Sequence, residues 1–374
     1  MPEAVDPEPD QTEAPQAKKR RWWQQALSVA VTVIVLVAVF GFVIPQLADY
    51  KDILGFVSEI PATTWLILAA FSIAFLLAYP IVLMQVIHTL KFREAFTSHM
   101  AGTAVTNSVP SGGAIALALN YTMYLSWGIT PHAVSAGLLA AGVWDWLARI
   151  ALPVLAVIGV AVIGETLPWM WLVSIGGVIF VALALFLLIW LTRNEAAAEG
   201  FARWLDRLAG WVFGKIHRDK PDVVAIVMQF RDDLNGIIAD RAWRLTAATV
   251  WNHATMTAVF VVSVYAVGVD RDVIPVPWVV LAFTLGRFVV MIPVSPGGLG
   301  LVDLGWIGLL TLGWQTASPS VPVDASLISA GVLLFRALTL LPPIPIGIAT
   351  GLYWRFNKSW RQDWRTVRRG DVEG

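Results

Sequence analysis

The stretch Met100–Trp127, MAGTAVTNSVPSGGAIALALNYTMYLSW, decides how this chain is folded. It is apolar enough to lie in a membrane, yet two crossings of a hydrocarbon layer about 30 Å thick need about 40 residues and a turn. Its flanks fix its two ends on one side. Lys91 and Arg93 precede it; the apolar runs Ala133–Ile163 and Trp169–Leu191 follow it and complete a round trip to the Arg-bearing segment Arg193–Arg244. Short loops rich in Lys and Arg stay on the cytoplasmic side. Met100–Trp127 is therefore expected to enter and leave from the cytoplasm as a re-entrant hairpin, with Val109-Pro110-Ser111-Gly112-Gly113 at its tip.

The rest of the chain agrees with a membrane setting. Of its 374 residues 57% are hydrophobic and 14% charged, whereas soluble domains carry roughly 25% charged residues. Further full spans are expected at Trp22–Pro45, Thr63–His88, Leu245–Gly268 and Ala325–Leu352. Lys18-Lys19-Arg20-Arg21 before the first of these resemble a signal peptide's start, but the apolar run is long and no small-x-small site follows, so it reads as a retained span. Pro277–Trp314 starts and ends on the outer side by the same parity, as a second hairpin or two short crossings, the hairpin being favoured. The expected fold is an all-α polytopic membrane protein of about six full transmembrane helices plus two re-entrant hairpins.

Residues 1–21 read as a disordered cytoplasmic tail, 22–354 as the membrane domain, and 355–374 as a basic cytoplasmic tail. The membrane domain divides into halves 22–192 and 244–354 joined by a linker, 193–243. Two amphipathic patterns occupy that linker, Phe201/Leu205/Leu208/Val212 and Val223/Val227/Phe230/Leu234; both are expected to lie along the membrane surface. Every Lys and Arg except Lys51, Arg149, Arg271, Arg287 and Arg336 falls on the side expected to be cytoplasmic, together with both termini.

Composition removes several chemistries. With no cysteine there are no disulfides, thiolate nucleophiles or Cys-type metal sites. The five histidines, His88, His99, His132, His217 and His253, show no paired metal-ligand spacing and read as structural or loop residues. The 26 basic and 26 acidic side chains balance, so nothing points to nucleic acid. No P-loop pattern is present, so ATP is not the expected driver, and no cofactor is implied.

The two hairpin tips resemble each other: Val109-Pro110-Ser111-Gly112-Gly113 and Val294-Ser295-Pro296-Gly297-Gly298. Each is followed by a span carrying Ser-Ala-Gly and then an arginine, Ser135-Ala136-Gly137 with Arg149 and Ser329-Ala330-Gly331 with Arg336. One hairpin enters from each side, so the halves read as an inverted repeat, with a binding site where the broken helices meet near mid-depth. Irregular backbone at that depth is tolerated only beside protein or a water-filled cavity.

Five ionisable residues lie in the expected membrane region: Asp145, Arg149, Arg287, Asp303 and Arg336. Each costs about 2.5–3.5 kcal/mol at a helix centre. Asp145 and Arg149, one turn apart, can pair; the other three have no local partner. If they converge they leave one positive charge in excess, which suits a phosphate held by guanidinium groups. The substrate-binding set is completed by Asn107, Pro110, Gly112 and Gly113 at the first tip and Pro296, Gly297 and Gly298 at the second, whose helix N-termini would add N–H donors.

Pro293-Val294-Ser295-Pro296-Gly297-Gly298-Leu299-Gly300-Leu301-Val302-Asp303, with Asn107–Gly113 earlier, resemble the lysylphosphatidylglycerol synthase-type transmembrane family, the flippase-like half of the bifunctional synthetase/flippase. The resemblance covers about Trp22–Trp354. It implies a bacterial or archaeal cytoplasmic membrane protein that translocates an aminoacylated phospholipid between leaflets. This sequence has Asp303 where the family usually has Glu, and Ala114-Ile115-Ala116-Leu117 follow the first tip without the basic residue common there. The basic tail after Tyr353 is too short for an aminoacyl-transferase domain, so a stand-alone member without synthetase activity is expected.

The leading functional expectation is thus a lipid flippase or transporter for an anionic or aminoacylated phospholipid. Membrane lipids are its expected partners, and homo-oligomers are compatible with the sequence. The alternative is a membrane-embedded enzyme or accessory subunit of phospho- or polyprenyl-lipid metabolism, with Asp145 or Asp303 as base or metal ligand. A third reading is a scaffold whose basic tail (Arg355 to Arg369, interleaved with Trp360 and Trp364) binds anionic lipid.

Overall fold

The computed structural model of the chain describes residues 50–109, 112–216, 222–289 and 298–361. The expected first span Trp22–Pro45, most of both tails, and tip residues Pro110, Pro296 and Gly297 lie outside them. The described residues form twelve α-helices and no strand: α1 Tyr50–Ser58, α2 Ala62–Val86, α3 Phe92–Ser108, α4 Gly112–Ser126, α5 Pro131–Val162, α6 Pro168–Arg193, α7 Glu195–Ile216, α8 Val223–Ala266, α9 Val276–Val289, α10 Leu301–Ala317, α11 Ala325–Leu340 and α12 Pro343–Phe356. Five stretches are long and apolar enough to cross a bilayer: Ala62–Val86, Pro131–Val162, Pro168–Arg193, Asp240–Ala266 and Ala325–Phe356. The chain is an all-α polytopic membrane protein.

Local chemistry sets the helix starts. Thr130 accepts from Ala133 N at 3.3 Å ahead of Pro131, Asp222 from Ala225 N at 3.0 Å, and Asp324 from Leu327 N at 2.9 Å. Each supplies an acceptor to an N–H that has no carbonyl partner in the first turn. α3 and α4 have 17 and 15 residues, α9 and α10 14 and 17. At 1.5 Å per residue these arms reach about 21–26 Å, short of a full crossing.

Two elements differ from expectation. The pattern Val223/Val227/Phe230/Leu234 is not a separate surface helix. It is the start of α8, a single 44-residue helix that continues through the span, with Leu234 buried against the core that holds Val82 and Leu83. The helix runs on through Asn235-Gly236 and Arg244 because Leu234 and Leu245 on either side are held in the same core. Conversely, Ala325–Leu352 is not one continuous helix. Pro342 and Pro343 lack N–H groups, and the chain breaks there into α11 and α12.

The core is double. One cluster gathers Leu68 from α2, Val157 from α5, Phe260 from α8, Phe283, Trp306 and Phe335. In it Phe260 sits 4.9 Å from the Phe283 ring and 5.1 Å from Phe335, centroid to centroid. The other gathers Val82 and Leu83, Tyr124, Val134, Leu234 and Leu245. α2, α5 and α8 each contribute one end to one cluster and the other end to the second, so the clusters form two layers along the helix axes. α6 stands at the periphery, with Leu172 76% and Phe186 60% exposed; apolar surface of this kind is at home against lipid tails.

Candidate functional site

A cavity of about 590 Å³ lies between the two layers. Its wall takes Phe75 and Tyr79 from α2, Leu138 to Arg149 from α5, and Asn252 and Met256 from α8. These fall in the middle of each spanning segment, which places the cavity at mid-depth. Thr103, Asn107, Gly113 and Asn120 of the α3/α4 hairpin form one side; Arg287 and Trp306 of the α9/α10 hairpin, with Arg336 of α11, form the other.

Three arginines therefore meet from three elements. Arg149 Nε lies 2.6 Å from Asp145 Oδ2, the one-turn pair the spacing predicts. Asp145 Oδ1 faces His253 Nε2 at 3.1 Å. His253, 1% exposed, lies behind the cavity wall next to that pair. One sequence signal for it was available: a histidine within an apolar span must be paired to be tolerated.

Arg336 forms a buried ion pair with Asp303, donates from Nη2 to Gly298 O at 3.3 Å, and lies with its Cζ 4.6 Å above the Trp306 ring. Asp303 is fully buried and does not line the cavity. Its Oδ2 accepts from Gly300 N at 2.8 Å, so the carboxylate closes the start of α10. One donor at that helix start, the N–H of Gly300, is thus taken by the protein's own carboxylate. Gly300, at φ 90°, holds the turn that makes this reach fit.

Arg287 differs from the other two. Its Nη1 touches Met256 Sδ, its Cζ is 5.8 Å from the Phe283 ring, and its buried Nε has no hydrogen-bond partner among the described residues. No carboxylate lies within ion-pair distance of it among them. A buried N–H that has lost its water without gaining an acceptor is costly, and the side chain lines the cavity.

Of the remaining expected residues, Gly113 lines the cavity. Gly112 is buried beneath it, where a Cβ would come within 2.5 Å of Val105 O. Gly298 acts through its carbonyl on Arg336. Asn107 lines the cavity and donates from Nδ2 to Leu340 O at 3.2 Å. In an unbroken helix Leu340 O would accept from Ile344 N, which instead reaches Leu341 O at 3.1 Å; Asn107 satisfies the carbonyl that the Pro342-Pro343 break sets free.

Sequence reasoning missed the neutral polar wall. Asn120 and Asn252 line the cavity, with buried amide oxygens that accept no hydrogen bond from the described residues. Tyr79 and His99 meet there with ring centroids 4.6 Å apart. Nothing in periodicity separates such residues from ordinary polar residues that pack helices.

The family model of the lysylphosphatidylglycerol synthase TM region matches residues 25–347. A UPF0104 membrane protein of Methanothermobacter thermautotrophicus is similar at 24% identity over 249 residues, 63% of this chain and 70% of the relative. With most of its length matched, including every charged residue of the cavity, this chain belongs to the lysylphosphatidylglycerol synthase transmembrane-region family.

Proposed function

We propose that this protein is a flippase or transporter that moves an anionic or aminoacylated phospholipid between leaflets of the cytoplasmic membrane. The observation that carries the reading is the convergence of Arg149, Arg287 and Arg336 on one mid-depth cavity, with the buried Nε of Arg287 lacking a protein acceptor among the described residues. Planar guanidinium groups are the side chains best matched to phosphate oxygens. On this reading the protein is not an enzyme, needs no cofactor, and keeps both termini in the cytoplasm, as the distribution of Lys and Arg favours.

An inverted repeat with two re-entrant hairpins is part of the same proposal, and three reciprocal contacts support it. The Ser-Ala-Gly of α5 lets Gly137 approach the end of α2, where a Cβ would stand 3.2 Å from Val86 O. The Ser-Ala-Gly of α11 lets Gly331 approach the end of α8, where a Cβ would stand 2.9 Å from Val264 Cα. In each hairpin a first-arm glycine also receives a second-arm side chain, Gly102 under Asn120 and Gly286 under Trp306. Finally, α5 packs on α9 while α12 packs on α3, so each half lays one helix that follows its own hairpin on the other half's hairpin. Rocking of such units about a central site gives alternating access.

The test is reconstitution of the full chain into vesicles carrying a labelled phosphatidylglycerol in one leaflet. Protein-dependent transfer to the other leaflet, lost in Arg287→Ala, is the expected result; transfer no faster than in protein-free vesicles overturns the reading.

A further inference from the structure

The cavity wall carries information about the headgroup that the arginines alone do not. We propose that its ligand is a phosphodiester lipid with a neutral, hydroxyl-bearing headgroup, such as a glycerol or other polyol, and not a lipid with a cationic aminoacylated headgroup. This deepens the translocation reading and rests on it.

Two observations exclude a good place for an ammonium. First, each carboxylate already has an arginine partner. Asp145 has Arg149 at 2.6 Å on Oδ2 and His253 at 3.1 Å on Oδ1. Asp303 holds Arg336 with one oxygen and Gly300 N–H, at 2.8 Å, with the other, and is sealed from the cavity. Second, three arginines against these two carboxylates leave the site positive. One phosphate balances that excess. A lysyl ester would return two ammonium groups to it, in a poorly hydrated setting where like charges repel strongly.

The neutral polar lining points to hydroxyls. Asn120 of α4 and Asn252 of α8 line the cavity, Asn252 being only 7% exposed, and neither amide group makes a hydrogen bond within the described residues. A buried amide oxygen without a partner is rare in native proteins and marks a missing ligand or water. Each orphaned Oδ1 needs a donor, and a hydroxyl supplies one without adding charge; an ammonium donates too, but it adds to the positive surplus of the site. Asn120 belongs to the first hairpin, whereas Arg287 and Arg336 come from the second half, so one headgroup in the cavity can reach guanidinium and amide together. The same logic fits the cost of leaving such amides empty, which favours a substrate able to fill them.

The experiment uses the full chain in phosphatidylcholine vesicles with trace labelled phosphatidylglycerol, lysyl-phosphatidylglycerol or phosphatidic acid, each assayed separately for transfer between leaflets. Phosphatidylglycerol is expected to move about tenfold faster than either of the others, since each of those loses a charge match or a hydroxyl match. Asn252→Asp and Asn120→Asp, which add a carboxylate to the neutral wall, are expected to shift the ratio about fivefold or more toward the lysyl lipid. Lysyl-phosphatidylglycerol moving as fast as phosphatidylglycerol, or phosphatidic acid doing so, overturns the polyol assignment and leaves translocation standing. Transfer of none of the three overturns the translocation reading itself. The wild-type ratio decides even if an Asn variant fails to fold.

Discussion

Asp303 holds Arg336 from beneath the cavity floor: the carboxylate is wholly buried, the guanidinium reaches the cavity over the Trp306 ring, and the two join α10 to α11. The acid thus fixes the direction of a positive charge without being available to a ligand.

Removing one partner strands the other. Asp303→Ala and Arg336→Ala are each expected to lower unfolding stability by about 3–5 kcal/mol, the cost typical of an orphaned buried charge. The double variant should be more stable than the sum of the two losses predicts. Unfolding in detergent, followed by intrinsic tryptophan fluorescence, measures all four corners of the cycle; strict additivity would mean the pair is not coupled.

Arg287 should behave oppositely. Because its buried Nε has no acceptor among the described residues, Arg287→Met is expected to leave stability unchanged or raise it by about 1 kcal/mol. Lipid transfer should nevertheless fall by about tenfold or more, the loss of a charge-assisted contact to phosphate. Paired measurements of melting temperature and transfer rate on one preparation check both halves. A large loss of stability would show that Arg287 has a structural role.

The contact between α3 and α12 depends on Gly347, where a Cβ would stand 2.1 Å from Met100 O. Gly347→Ala is expected to cost about 1–3 kcal/mol through forced separation of the helices. Gly176→Ala on peripheral α6, with nothing within 4 Å, should stay within about 0.5 kcal/mol of the parent. Thermal melts of the two variants side by side provide the comparison.

The lack of cysteine makes single-cysteine labelling clean. Thr103 lines the cavity, whereas Ser98, one and a half turns earlier on α3, is fully buried and bonds Tyr124 Oη at 3.0 Å. Thr103→Cys is expected to react with a small hydrophilic thiol reagent and to be protected by a short-chain phosphatidylglycerol. Ser98→Cys should stay unlabelled until denaturant is added. Equal labelling of both would contradict the water-accessible cavity.

These sites were unequally legible in the sequence. Asp145, Arg149, Arg287 and Arg336 stand out because a charge inside an apolar span is expensive and needs a reason. Asp303 stood out for the same cause, but only coordinates could assign it to Arg336, 33 residues away along the chain. Asn120 and Asn252 were invisible, since a neutral amide costs little enough to pass as helix packing. The five described spans were legible from length and hydropathy alone. The continuity of α8 was not, because helix propagation across Arg244 depends on tertiary contacts that begin at Leu234. Pro342-Pro343 were in plain view, yet a hydropathy run does not register a break in the backbone it spans.

That break has a mechanical meaning. α11 is packed into the second half against α8 and α10, while α12 lies on α3 of the first hairpin; Asn107 of that hairpin grips Leu340 O at the joint itself, 3.2 Å away. The chain's last membrane segment therefore belongs to two different bodies, its first portion to one and its second to the other. Any relative rotation of those bodies has to turn at Leu341-Pro342, and the tether from Asn107 makes the joint a pivot with a bearing on each side, seated at the edge of the cavity it would open and close.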